Sequence, residues 1–463
     1  MSARRLVSLI VAALLGATGS AQAPAPSVEA IFKDLATDRA PGCAVGVARG
    51  DRPVVARAYG MADLEHGIPL TAQSVFYMAS VSKQFTALSI LLLESDGKLR
   101  LDDRVRTHVP ELPEHAAAIT IRQLLHHTSG LRDYLTLSAL AGNPPDSVIT
   151  ERGVLNMLGR QARLNFEPGA EHVYSNSGYV LLSIVVHRVA GRPLDEFARE
   201  RIFTPLEMRN TRFQHDHAAP IPGRAIGYVR RGEMWRIGNS MLDVVGDGGM
   251  YSTVDDMLRW AAAFERPEFA SLLARMQTPG TLADGRAIDN GYGMGLGQGT
   301  FRGLRTVSHG GALAGYRTML LRVPAERLTV VTLCNNATAN AAQLAQRVVE
   351  LQSPAGLSAV SASASPQAPP APTRVSVPRE LGQALAGVFY SDELDATYRI
   401  AAGPDGAALE IGSNAPVALS LIEPDRVGLP MGSVLTPVRD VNARITGFTL
   451  TAGRVRDLTF TKR

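Results

Sequence analysis

Apolar positions in this 463-residue chain change their spacing from segment to segment, and each change marks a new element. Residues 42–49 and 53–60 are short, nearly continuous apolar runs bounded by Gly and Asp, which predicts two strands. From Ser80 onward the rhythm becomes helical: Phe85, Leu88, Leu91 and Leu92 follow spacings of three and four, as in a helix burying one face, and Gly97 stops it. A mostly helical pattern, cut by long loops rich in Gly, Pro and Asp, continues to about Phe264. Strand runs return near 304–309, 315–323 and 327–334, followed by a helical stretch ending near Leu351. Strands at both ends with helices between them predict one sheet closed by the two termini, with a helical lobe inserted. Residues 353–377 are Ser, Ala and Pro with almost no charge, the composition of a linker. Beyond it, residues 378–463 alternate polar and apolar positions in short runs (Val388–Tyr390, Thr397–Ile400, Ala408–Ile411, Ile445–Leu450, Leu458–Phe460). Turn signals recur about every ten residues, which predicts a small β barrel or sandwich.

The first 21 residues have a different character. Arg4 and Arg5 precede an apolar run from Leu6 to Leu15 and then small residues ending at Ala21, the layout of a secretory leader. The expected organisation is therefore a leader at 1–21, a domain at 22–352, a linker at 353–377 and a β domain at 378–463. Export to the periplasm or the extracellular space follows as an expectation. The leader's two arginines account for half of the formal charge of +4. With no Lys/Arg cluster remaining, a nucleic-acid partner is not expected. No apolar run is long enough for a transmembrane anchor. Cys43 and Cys334 are the only cysteines, too few for a disulfide scaffold. Both fall in strand-like runs, and a bridge between them requires those strands to be neighbours; two buried free thiols are the equal alternative.

The chemistry concentrates at Ser80-Val81-Ser82-Lys83. Residues three apart share a helix face, so Lys83 stands one turn from Ser80. A serine hydroxyl becomes a nucleophile when a neighbouring base takes its proton, and a lysine can be that base where burial favours its neutral form. The chain has four lysines among 47 basic residues, so chance matches to this spacing are few. One other exists, Ser95 to Lys98, but Gly97 separates its members. Two further segments carry polar groups in apolar or loop surroundings. Tyr174-Ser175-Asn176 precedes a helical segment, and His309-Gly310-Gly311-Ala312 ends a strand. A tyrosine beside a cation can shuttle a proton to a leaving group. Asn176 can donate and accept, suiting a substrate carbonyl or the Lys83 amine. Two glycines at a strand end let a substrate backbone lie against that edge.

These segments, in this order, together with Leu124-Leu-His-His-Thr-Ser-Gly-Leu131 and Gly246-Asp-Gly-Gly249, resemble a serine hydrolase superfamily. Its members are class C β-lactamases, D-alanyl-D-alanine carboxypeptidases, D-aminopeptidases and β-lactamase-fold esterases. The likeness runs from about Val28 to Gln352. It implies an α/β (α+β) β-lactamase / DD-peptidase-like catalytic domain, with an antiparallel sheet, flanking helices and an all-helical lobe. It also implies that the C-terminal segment is a small all-β, barrel-like domain. By resemblance, Ser80 is the acylated nucleophile, and Lys83 with Tyr174 activates it and protonates the leaving group. The N–H groups of Ser80 and Ala312 would form the oxyanion hole, with Asn176, His309, Gly310 and Gly311 binding substrate. No cofactor or metal is implied. The substrate is expected to be a small molecule or peptide, including one derived from peptidoglycan.

In this chain His309-Gly310-Gly311 stands where the β-lactamase members carry Lys-Thr-Gly. A fixed charge and a hydroxyl are lost, and a neutral histidine is a weaker anion clamp. Ester or D-amino-acid peptide hydrolysis is therefore favoured over β-lactamase or D-alanyl-D-alanine carboxypeptidase activity; an inactive wall-binding scaffold is the non-enzymatic alternative. Ser129 lacks a base at helical spacing and reads as a buried turn. His215 and His217 find no third metal ligand in the residues that follow. Asp102-Asp103 and Asp255-Asp256 read as helix-start or turn residues.

Overall fold

The apolar runs at the two ends of the first 350 residues pair with one another. In the computed structural model, which describes residues 27–354, 356–358, 375–404, 406–412, 414–429 and 432–463, they form a six-stranded antiparallel sheet. Its order is Gly297–Phe301, Leu304–Leu313, Tyr316–Val323, Leu328–Cys334, Cys43–Arg49, Arg52–Tyr59. The expected leader and most of the expected linker lie outside the described residues. The strands Cys43–Arg49 and Leu328–Cys334 are central and buried along almost their whole length, which explains why they read as continuous apolar runs rather than alternating ones. They pair in register, Cys43 opposite Cys334, and the two thiols are joined in a disulfide. Helices Val28–Phe32 and Ala341–Gln352 cover one face of the sheet through Phe32, Ala345, Val348 and Val349. Helix Val254–Ala263 covers the other.

The helical lobe grows from the segment that follows Ser80. Helix Lys83–Ser95 is buried on every side from Lys83 to Leu93, not on one face as its periodicity suggests. Helix Asn176–Ala190 packs along it, joined by Leu194–Ala198 and Pro267–Gln277, and these neighbours leave it no wet side. Its polar residues are satisfied internally: Gln84 accepts from the Trp260 indole at 3.0 Å, and Thr86 donates to the Gly246 carbonyl at 2.8 Å.

The described residues of 375–463 form a curled ten-stranded antiparallel sheet, and its buried apolar residues run into those of the helical lobe. All five of the expected strands fall inside observed ones. Phe389, Tyr398, Phe448 and Phe460 fill its centre, with ring centroids 4.3–4.9 Å apart for neighbouring pairs. This β domain docks on the helical lobe through buried polar contacts. Arg132, fully buried, pairs with Glu393 and donates to the Arg456 carbonyl at 2.7 Å. The Tyr398 hydroxyl donates to the Leu140 carbonyl at 2.6 Å.

Candidate active site

Ser80 sits in a 3-10 turn, Ala79–Ser82, which runs directly into the helix that begins at Lys83. Ala79 holds a left-handed backbone, φ 46°, a strained conformation for a residue with a Cβ. The turn presses against the strand Leu304–Leu313. A Cβ on Gly311 would lie 2.3 Å from Thr318 Oγ1 and 2.4 Å from the Met78 carbonyl oxygen, so only glycine allows that approach. Gly310 has room for a side chain, and its bareness instead leaves the cleft edge open.

Lys83 Nζ is wholly buried and has three partners: Ser80 Oγ at 3.2 Å, Asn176 Oδ1 at 2.9 Å and the Asp247 carbonyl at 2.6 Å. Two of these can only accept. A neutral amine with two N–H bonds and one lone pair satisfies the set equally well, giving its protons to Asn176 and Asp247 and taking one from the Ser80 hydroxyl. The arrangement can therefore deprotonate Ser80 without rearranging.

Asn176 is the first residue of the helix Asn176–Ala190. Its N–H donates to Asp133 Oδ2 at 2.8 Å, and the Ser175 N–H donates to His127 Nδ1 at 3.2 Å. Ser177 Oγ donates to the Arg132 carbonyl at 2.7 Å. One free N–H of the helix start, that of Asn176, is thus taken by Asp133, and these contacts with the loop 126–133 fix Asn176 against Lys83. Tyr174, just before this helix, packs on His127 with centroids 4.1 Å apart, and its ring centroid lies 4.9 Å from Lys83 Nζ.

His309 ends a directed hydrogen-bond chain. Because His127 Nδ1 accepts from Ser175, its Nε2 carries the proton and donates to the Tyr292 hydroxyl at 3.1 Å. That hydroxyl donates to His309 Nε2 at 3.2 Å, and His309 Nδ1 donates to the Gly310 carbonyl at 2.7 Å. Every proton in the chain has a place, and His309 is held neutral. Burial, with Lys83's charge adding to it, pulls its pKa down to about 4. Burial likewise takes His126 to about 4 and His127 well below the usual range. Asp247 goes the other way: burial lifts it to about 6 against the pull of Lys83, and the Tyr134 hydroxyl donates to its carboxylate at 3.1 Å.

These shifts set the pH dependence of stability. Between about pH 6.5 and 4 the three histidines bind protons only when unfolded, so stability falls as pH is lowered through that window. Asp247 holds a proton only when folded between its unfolded value near 3.8 and about 6, and offsets part of the loss. The denaturation midpoint is expected to drop from pH 7 to pH 5, and His309→Gln to flatten the slope. A flat wild-type profile contradicts this account.

Ser80, Tyr174, His309, Gly310, Gly311 and Ala312 line a single cleft of about 610 Å3. Lys83 and Asn176 lie beneath it. The same cleft is lined by two residues that the sequence reading missed, Arg317 and Arg454, the second from the β domain. Asp133, Asp247, Tyr134 and Tyr292 were missed as well. Asp247 falls in Gly246-Asp-Gly-Gly249, where Gly246 has φ 105° and a Cβ would meet the Tyr179 carbonyl oxygen at 2.3 Å. That motif was visible, but its use of a backbone carbonyl was not. Ser129 lies apart in a buried turn, its Oγ accepting from the Leu131 N–H at 3.3 Å. Asp102 pairs with Arg122, and Asp255 and Asp256 occupy the first turn of a helix capped by Thr253. His217 pairs with Asp243, brought from a distant segment, in a surface cluster with Asp216.

Residues 28–353 match the family model described as Beta-lactamase. The chain is 32% identical over 374 residues to a D-aminopeptidase of Gluconobacter oxydans, covering 80% of this chain and 66% of that protein. It is 32% identical over 324 residues to a penicillin-binding protein of Bacillus subtilis, covering 66% of this chain and 71% of that protein. Against the D-aminopeptidase of Brucella anthropi it spans 56% of the relative's length. A penicillin-binding protein homologue from Pyrococcus abyssi superposes with a TM-score of 0.61 at 20% identity, over 94% of this chain and 99% of that one, a likeness of fold that includes the β domain. With the sheet, the lobe and the matched segment in agreement, the chain is a member of the beta-lactamase family.

Proposed function

We infer that the protein is an exported serine hydrolase that cleaves an ester or amide, either a D-amino-acid peptide or a carboxylic ester, through an acyl-enzyme on Ser80. The observation that carries this reading is the Lys83 amine, 3.2 Å from Ser80 Oγ and committed on its other sides to Asn176 and the Asp247 carbonyl. Ser80 Oγ attacks the substrate carbonyl carbon while its proton passes to the Lys83–Tyr174 pair. The resulting oxyanion faces the N–H groups of Ser80 and Ala312. As the carbon–oxygen or carbon–nitrogen bond to the leaving group breaks, Tyr174 gives that atom the proton, and the acyl group remains on Ser80. Water, deprotonated by the same pair, then releases the acid and restores the hydroxyl. Export accords with the leader-like residues 1–21 and with a disulfide, which persists in oxidising compartments.

A fluorophosphonate probe tests the reading. Labelling is expected in the wild type, Ser95→Ala and Ser129→Ala, and is lost in Ser80→Ala; an adduct on any other residue refutes it. Tyr174→Phe is expected to lower turnover about 100-fold or more, the range for losing a general acid–base group, and a near-wild-type rate removes Tyr174 from the mechanism. With no fixed cation at position 309, turnover of nitrocefin is expected to be slow beside that of a p-nitrophenyl ester.

A further inference from the structure

We propose that Asp247 is a positioning residue for Lys83: its carboxylate balances the ammonium that forms when the amine takes the Ser80 proton, and so sets how strong a base that amine is. The proposal deepens the hydrolase reading above and rests on it for the role of Lys83.

The fold presses Asp247 into the floor beneath the cleft. Thr86 Oγ1 donates to the Gly246 carbonyl at 2.8 Å, and the Gly249 N–H donates to the Tyr77 hydroxyl at 3.1 Å. Between them, a Cβ on Gly248 would lie 2.7 Å from that same hydroxyl oxygen, so the segment fits only without a side chain there. The Asp247 carbonyl is thereby brought to 2.6 Å from Lys83 Nζ. The carboxylate hangs from the same buried residue, 5% exposed, and stays in the neighbourhood of that amine.

Its own hydrogen bonds do not account for an acid at this position. Oδ2 accepts from the Tyr134 hydroxyl at 3.1 Å, and Oδ1 has no partner among the described residues. Asp133 is the contrast: it accepts from the Asn176 N–H at 2.8 Å and the Thr136 N–H at 3.1 Å, and pairs with Arg454 at 3.5 Å. Those contacts make Asp133 a tie between segments. A single phenol is served as well by a neutral amide, which avoids the cost of burying a charge. What favours an acid at 247 is a cation beside it.

The groups that face Asp247 are Lys83 from the helix Lys83–Ser95, Asp133 and Tyr134 from the start of the helix Tyr134–Leu140, and Tyr77 from the strand Phe76–Tyr77. Lys83 is the cation in that set. Asp133 repels, and burial keeps both tyrosines protonated. Burial, against the pull of Lys83, puts Asp247 at about 6, so the acid and the amine titrate as a coupled pair. In acylation the Ser80 O–H bond breaks and an N–H bond on Lys83 forms. The new positive charge appears beside a carboxylate, which favours it.

The test is the pH profile of kcat/KM for a neutral ester, p-nitrophenyl acetate, between about pH 5 and 9, with full-length wild type, Asp247→Asn and Tyr134→Phe. That range lies above the values of about 4 for His126 and His309. Asparagine keeps the backbone carbonyl at Lys83 and an oxygen for Tyr134. Its acid limb is expected about one pH unit or more below that of wild type, because loss of the opposite charge makes the ammonium easier to deprotonate. The plateau is expected to fall about tenfold, as it does for a weaker base. Tyr134→Phe removes the donor that favours the ionised acid, and is expected to move the limb the same way by less. A merely structural Asp247 lowers the plateau and leaves the limb in place, so an unmoved or raised limb in Asp247→Asn overturns the proposal. Should that variant not fold, an unmoved limb in Tyr134→Phe overturns it instead. Fluorophosphonate labelling and Lys83→Met are scored separately. An unlabelled Ser80, or a Lys83→Met protein with wild-type turnover, refutes the hydrolase reading; a fixed limb in a protein still labelled on Ser80 refutes the role of Asp247 alone.

Discussion

Lys83→Met is expected to slow acylation of Ser80 by about 10³–10⁴-fold, the upper part of the range for losing a general base. Methionine keeps the volume of a side chain buried on all sides, so the loss reports the amine and not a cavity. The variant also strips Asn176 Oδ1 and the Asp247 carbonyl of a shared donor, and each unsatisfied buried acceptor costs about 1–3 kcal/mol. Rate and stability are therefore measured together: stopped-flow acylation by a p-nitrophenyl ester, and urea denaturation. Acylation within tenfold of wild type would remove Lys83 from proton transfer, whatever happened to stability.

Glu393→Ala is the largest stability change expected away from the cleft, about 3–5 kcal/mol, because it leaves the Arg132 guanidinium buried without a counter-ion. The Glu393 carboxylate also accepts from the Ala162 N–H at 2.9 Å and the Thr459 N–H at 3.2 Å, so one substitution loosens both sides of the domain contact. Turnover is expected to fall with it, since the Arg132 carbonyl holds Ser177 and Asp133 holds Asn176. Replacing both partners, Arg132→Met with Glu393→Met, is expected to recover most of the stability. A loss below about 1 kcal/mol in the single variant would mean that water reaches and solvates Arg132.

The parts of this site that were legible in the sequence are the local ones. Ser80 and Lys83 meet because three residues bring a side chain around one turn, and Tyr174-Ser175-Asn176 precedes a helix whose apolar run is unmistakable. The central strands announced themselves by being apolar on both faces. The edge strand Gly297–Phe301 did not, because Gly, Gln and Thr pair along one side without burying a face. The ribbon Tyr228–Arg231 with Met234–Ile237 is mostly exposed and mixes apolar with charged residues, which leaves no alternation to find. Asp133, Glu393 and Arg454 act across contacts of 43, 261 and 289 residues in separation, and no spacing rule reaches so far. The motif at His309 was visible, but its neutrality depends on Tyr292 and His127, which the fold alone assembles.

The bond between Cys43 and Cys334 turns 292 residues of backbone into a covalent circle that contains every cleft group named here except Arg454. A single proteolytic nick anywhere within that circle leaves both fragments tethered, so the catalytic half can survive cleavage that would scatter an open chain. The β domain lies outside the circle, and after a cut in the stretch joining the two only its buried contacts with the lobe, Arg132 with Glu393 foremost, would hold it in place.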